Sequence, residues 1–154
     1  MWQKWHQRYT QNLMCLKLST QHYQALLEHA TKDSKLECCG YLLGYSQQNQ
    51  NILNSIYPMR NAHSFPQTHF AFVPQEQLQV FHHCKSQNLQ IIGIYHSHPS
   101  SPPIPSKEDL RFAYFEELSF LIISLQYGIN LASYRISHNH TREERIEILG
   151  NSLR

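Results

Sequence analysis

Two histidines, His96 and His98, end an apolar, β-branched run that opens at Gln90, and a proline-rich segment follows at once. No other stretch constrains the chain as much. The run 90–98 predicts a buried strand. Alternate side chains of a strand share a face, so both imidazoles point one way and Ser97 points the other. Residues 100–105 hold three prolines and cannot continue the strand. Ser106 then opens S-K-E-D, a capping-box pattern, with Leu110, Ala113 and Tyr114 behind it at helical spacing. A helix starting at Ser106 is expected, with Asp109 in its first turn, where a carboxylate is favoured. Two imidazoles at a strand end and one carboxylate at a helix start close three sides of a tetrahedron. That is the donor set of a catalytic zinc site with a fourth position for water. The alternative is a surface histidine pair followed by an ordinary helix cap, in a chain with eleven histidines. Asp109, however, is one of only two aspartates, the other being Asp33.

The spacing H-x-H-x7-S-x-x-D resembles the JAMM motif of the MPN+ zinc metallopeptidases. That family adds an upstream glutamate before a small-residue and glycine turn and an aliphatic strand. Here E-C-C-G-Y-L-L-G supplies it, with Glu37 in the glutamate position. The resemblance extends over residues 16–136 as an order of elements, and its specific part is Glu37, His96, His98, Ser106 and Asp109. It implies an α/β fold, a single MPN domain of the JAB/cytidine-deaminase-like kind, with a mixed sheet layered with helices. It also implies one zinc per chain, held by His96, His98 and Asp109.

The length of 154 residues suits one domain with a single core. We expect residues 1–11 to form an arm, containing Trp2 and Trp5, and residues 12–154 to form the domain. A formal charge of +2, with scattered Lys and Arg, does not argue for nucleic acid. The stretch H-N-H-T-R-E-E-R mixes signs and reads as a solvated turn. The four cysteines, Cys15, Cys38, Cys39 and Cys84, form no C-x-x-C pair, so neither a zinc ribbon nor a disulfide framework is indicated. The polar, aromatic N-terminus does not read as a signal peptide, and no apolar run reaches membrane-spanning length. These features predict a reducing cytoplasm, free thiols and no membrane partner.

Along the chain, residues 13–18 predict a strand, and Ser19 or Thr20 caps a helix to about Thr31. That helix buries Tyr23, Leu26, Leu27 and Ala30. His22 and His29 lie off that face and are expected to be solvated. A turn over 33–36 leads to Glu37, and residues 40–45 and 51–60 form strands around an S-Q-Q-N-Q hairpin loop. A polar loop, 61–68, and a strand, 69–73, precede a helix with Pro74 in its first position. The helix runs to about Gln87 and is expected to bury Leu78, Phe81 and Cys84. After the histidine strand and the Ser106 helix come strands over 120–125, 131–137 and 145–149, the last at a sheet edge. The order predicts a sheet layered with helices.

Zinc on these ligands lowers the pKa of its water to about 7 and polarises a carbonyl. The resemblance assigns Glu37 the role of proton shuttle and Ser106 that of oxyanion donor. Standing alone, Glu37 reads as a surface turn residue, and Ser106 equally as a helix cap. Cys38 and Cys39 are possible soft zinc ligands, although packing suits them better. Glu108, about 100° around a helix from Asp109, is expected to face solvent. The family cleaves amide or isopeptide bonds after the glycine tail of ubiquitin-like proteins. The short S-S-P-P-I-P connection is similar to the compact prokaryotic branch, whose substrates are Gly-Gly-ended sulfur carriers. Two other classes stay open: a metal-free MPN scaffold that only binds partners, and a zinc hydrolase acting on a small non-peptide amide.

Overall fold

The computed structural model describes residues 13–112, 115–138 and 140–150, so the expected arm lies outside the described residues. Its strands are β1 (Cys15–Ser19), β2 (Cys39–Gln47), β3 (Gln50–Met59), β4 (Gln90–His98), β5 (Ser119–Ser124), β6 (Asn130–Ser137) and β7 (His140–Leu149). The long helices are α1 (Thr20–Lys32) and α2 (Pro74–Gln87). Among these residues no helix is long and apolar enough to cross a membrane.

The strands form one mixed sheet in the order β1-β3-β2-β4-β5-β6-β7, and β7 closes it by pairing in parallel with β1. The sheet therefore closes where an edge was expected at residues 145–149. The stretch read as a solvated turn is largely strand β7, and its Glu144 is buried. Pairing to strands on both sides satisfies backbone groups that a free edge would leave open.

Two apolar clusters stand out among the described residues. Leu26 and Ala30 of α1 pack with Leu16, Leu42, Ile92, Tyr95, Leu121 and Ile123. Val80 and Cys84 of α2 pack with Tyr41, Leu43, Phe70, Ile94 and Phe120. α1 starts as its sequence predicts: the Ser19 hydroxyl accepts the His22 amide, and the His22 ring returns the bond to the Ser19 amide. His22 also bonds the Asn54 carbonyl through Nε2 at 2.8 Å, and His29 meets the buried Tyr95 hydroxyl at 2.8 Å. Neither ring is simply solvated. Pro74 occupies the first turn of α2, but the buried stripe is Val80 and Cys84, leaving Leu78 and Phe81 exposed. The helix lies about one position around from the expected face, because the sheet it covers decides which stripe is hidden. Residues 69–73 are not a strand. They are irregular backbone that inserts Phe70 into the second cluster.

β2 and β3 turn at Gln48 and Asn49, both with positive φ (50° and 65°). Paired positive φ values in a two-residue loop match the right-handed twist of the flanking strands. Between β2 and β4 the register shifts at Leu42/Leu43, which pair with Gly93 and Ile91 and leave Ile92 between them. This bulge changes the phase of β4. Ile92 and Tyr95 face the first cluster, while Ile91 and Ile94 face the second. β4 and β5 are parallel, so the chain must cross over between them. That crossover, leaving from His98, carries the proline segment and Asp109.

Candidate metal centre

His96 and His98 stand at the C-terminal end of β4, on the face set by the bulge. Their Nε2 atoms lie 2.9 Å apart, and both side chains are buried. The proline segment leads to a short 3-10 turn, Asp109–Phe112, where a regular helix from Ser106 was expected. The local cap forms all the same. Ser106 Oγ accepts the Asp109 amide at 3.1 Å, and Asp109 Oδ2 accepts the Ser106 amide at 2.7 Å. This reciprocal pair turns the carboxylate toward the strand end. Asp109 Oδ1 lies 3.1 Å from His96 Nε2, and Oδ2 lies 3.5 Å from His98 Nε2. Of the residues at that helical spacing, Ala113 and Tyr114 lie outside the described residues and Leu110 is 44% exposed; the residue of this turn that packs inward is Phe112, against Phe70.

Two imidazole nitrogens and one carboxylate thus converge from two elements, and the three side chains form a group able to bind a metal ion. The tautomers fit that role. His98 Nδ1 lies 2.8 Å from the Pro102 carbonyl, which only accepts, so Nδ1 carries the hydrogen and the neutral ring offers a lone pair at Nε2. His96 Nδ1 is buried without a partner among the described residues, so none of them prevents that ring from also presenting a lone pair at Nε2. Two imidazole lone pairs and a carboxylate facing one another repel unless a cation lies among them. The three groups also shift one another's titration. Burial lowers the pKa of His96, although the bond to Asp109 opposes it. Burial would lower His98 as well, but Asp109, the Pro102 carbonyl and Glu37 together raise it. Burial would also raise Asp109, yet the two imidazoles hold its carboxyl well below the usual range.

Glu37 is buried beside this group, just ahead of β2, and is not a surface turn residue. Its amide donates to the Pro66 carbonyl at 2.7 Å, and its carbonyl accepts from the Asn61 side chain at 3.0 Å. Burial pushes its carboxyl up to about 7, with the His98 charge lowering it and Asp109 raising it. A carboxyl near neutrality can both accept and return a proton at physiological pH.

Ser97 faces away from the imidazoles and closes a two-bond clasp with Cys38: its hydroxyl accepts the Cys38 amide at 2.8 Å, and its amide donates to the Cys38 carbonyl at 3.0 Å. Cys39 is fully buried in the second cluster, and Cys38 packs on the first. Both take the packing role, and burial raises both thiols, Cys38 to about 11. Glu108 pairs with Arg111 at 2.9 Å, away from the site. Sequence reasoning missed Phe70, whose ring stacks on His96 at a centroid distance of 4.6 Å. It also missed the anchoring by Asn61 and the Pro102 carbonyl.

A cavity of about 490 Å³ lies at the opposite end of the barrel, beside the β2–β3 hairpin and Arg135. The Arg135 guanidinium there is committed to Glu144 and to the carbonyls of Glu117 and Asn49. The convergent polar groups are at the strand end, so the chemistry is assigned there.

Comparison with known proteins agrees with this architecture. Residues 19–137 match the family described as prokaryotic homologs of the JAB domain. A desampylase of Pyrococcus furiosus is 34% identical over 91 residues, 59% of this chain and 61% of that protein. This chain thus spans less than two thirds of that relative's length. A CysO-cysteine peptidase of Mycobacterium tuberculosis is 28% identical over 127 residues, 81% of this chain and 85% of that protein. A Desulfitobacterium hafniense protein of known solution structure superposes with a TM-score of 0.80 at 31% identity, covering 88% of this chain and 94% of its own. With the matched segment running from the cap of α1 to the end of β6 and enclosing the whole site, the chain belongs to the family of prokaryotic homologues of the JAB domain.

Proposed function

We propose that this chain is a zinc-dependent metallopeptidase that hydrolyses the amide bond after the C-terminal Gly-Gly tail of a ubiquitin-like or sulfur-carrier protein. Residues 12–154 form its catalytic domain, and it works in a reducing cytoplasm. The observation that carries the reading is the buried convergence of His96, His98 and Asp109 beside a carboxyl held near neutrality. Its relatives, a desampylase and a CysO-cysteine peptidase, support the same bond class.

His96 and His98 would hold the ion through Nε2 and Asp109 through a carboxylate oxygen. When bound, zinc supplies Lewis acidity and an activated water. Glu37 takes the proton of the attacking water on a carboxylate oxygen and delivers it to the nitrogen of the breaking C–N bond. Ser106 Oγ accepts the Asp109 amide and is exposed, so its own hydrogen is left to donate to the developing oxyanion. Glycines in the substrate tail let an extended backbone approach a crowded centre where a side chain would clash.

Metal analysis and conjugate cleavage test this. The purified protein should carry one zinc per chain, lose turnover with a strong chelator, and release the carrier with its Gly-Gly end intact, read by mass. Changing the last tail glycine to valine should slow cleavage by ~100-fold. Full zinc occupancy in a His96→Ala, His98→Ala double variant would sink the ligand assignment.

A further inference from the structure

Glu37 sits in irregular backbone between the 33–36 turn and β2, a poor place from which to aim a proton-transferring carboxylate. Something must hold it. The Asn61 side chain uses all its hydrogen-bonding groups on backbone. Its amide nitrogen donates to the Glu37 carbonyl at 3.0 Å and to the His69 carbonyl at 2.9 Å. Its oxygen accepts the His63 amide at 3.0 Å and the Ala71 amide at 3.2 Å. The neighbouring Ala62 amide bonds the Ala71 carbonyl at 2.9 Å, and the loop so closed returns the Pro66 carbonyl to the Glu37 amide at 2.7 Å. The residue after His69 is Phe70, stacked on His96. One side chain therefore fastens the glutamate backbone to the loop that covers a ligand ring.

We propose that Asn61 is the positioning residue for Glu37. It locks the peptide of the proton shuttle to loop 61–71, so that the carboxyl and the His96 ring are placed by one rigid unit. This rests on the reading of Glu37 as the shuttle. Asn61 does not touch the ligands or the reacting atoms; it acts through the Glu37 backbone. Aspartate is nearly isosteric and keeps the acceptor for His63 and Ala71, but it cannot donate to the two carbonyls.

Asn61→Asp tests the proposal in the full chain, with a Gly-Gly-tailed carrier extended by one amino acid as substrate. Zinc content and KM should stay within about twofold of the parent, and kcat should fall by about 10-fold or more, since small misplacements cost that much. In a Glu37→Gln background the same substitution should change the residual turnover by less than about twofold, because the group it positions is already disabled. Hydrogen exchange gives a readout without turnover: the Glu37 and Cys38 amides should exchange at least ~10-fold faster, while those of β5 stay protected. Unchanged kcat with unchanged exchange at Glu37 overturns the proposal. So does a full additional loss in the Glu37→Gln background, which would mean that Asn61 acts on something else. Undiminished turnover in Glu37→Gln alone would instead remove the shuttle reading, whatever Asn61 does. If Asn61→Asp does not fold, Asn61→Ala, which sets no carboxylate against the two carbonyls, takes the same measurements.

Discussion

Glu37 and Ser106 border the same metal-binding group, yet the structure holds them differently, and this separates their substitutions. Glu37 is buried and its carboxyl lies near neutrality, whereas Ser106 is exposed and caps the turn that carries Asp109. Glu37→Gln keeps shape but cannot take a proton at neutral pH, so turnover should drop roughly 10²- to 10⁴-fold with zinc retained. Loss of zinc in that variant would make Glu37 a ligand. Ser106→Ala should lower turnover by about 10²- to 10³-fold. It should also cost about 1 kcal/mol of stability in denaturant melts through the lost cap. Unaltered rates in Ser106→Ala would leave the serine with the cap alone. Both phenotypes contrast with Asp109→Ala, which should lose the metal itself.

At the scale of elements, the bulge on β4 decides which way the histidines face. A one-residue change of phase turns every later side chain of a strand to the other surface. Ile92 takes up the extra residue, and His96 and His98 consequently share a face with Ile94 and the Phe70 side of the sheet. Gly93, next to the bulge, has no room for a side chain: a Cβ there would strike the Ser119 carbonyl on β5 and crowd Leu42. Gly93→Ala should therefore destabilise by about 1–3 kcal/mol, because the obstacle is backbone and cannot rotate away. It should also weaken zinc retention, since β4 must shift relative to β5, to which the crossover carrying Asp109 returns. A Gly93→Ala protein as stable as the parent would show that the strands can part locally without cost.

For the whole molecule, the end of the barrel opposite the site is closed by charge. Glu144 is fully buried, bonded to Arg135 Nε at 2.6 Å and to the Ser133 hydroxyl at 2.7 Å. Arg135 carries the link on to the Glu117 and Asn49 carbonyls, tying β6 to the β5 approach and the β2–β3 hairpin. Removing one partner of a buried pair strands the other charge, so Glu144→Ala should cost about 3–5 kcal/mol in equilibrium unfolding. The site lies at the far end, so any variant that remains folded should bind zinc normally. A loss below about 1 kcal/mol would show that water reaches Arg135 when Glu144 is gone.

Much of this was legible in the chain because it depends on neighbours in sequence. The i,i+2 histidines, the Ser19 and Ser106 caps, Pro74 at a helix start and the prolines after β4 each carry a local stereochemical preference, and each appears where those preferences put it. The length of the Ser106 helix, the exposed stripe of Leu78 and Phe81 and the closure of β7 onto β1 were not legible. Which stripe of a helix is hidden, whether an edge is paired and how far a capped turn continues are settled by what packs against them. The same holds within the site. His96, His98, Ser106 and Asp109 are separated by few residues, so their spacing could be read directly. Glu37, Asn61 and Phe70 come to them through strand pairing and loop packing across the fold, and only the tertiary structure could bring a remote carboxyl into an environment that holds it near 7.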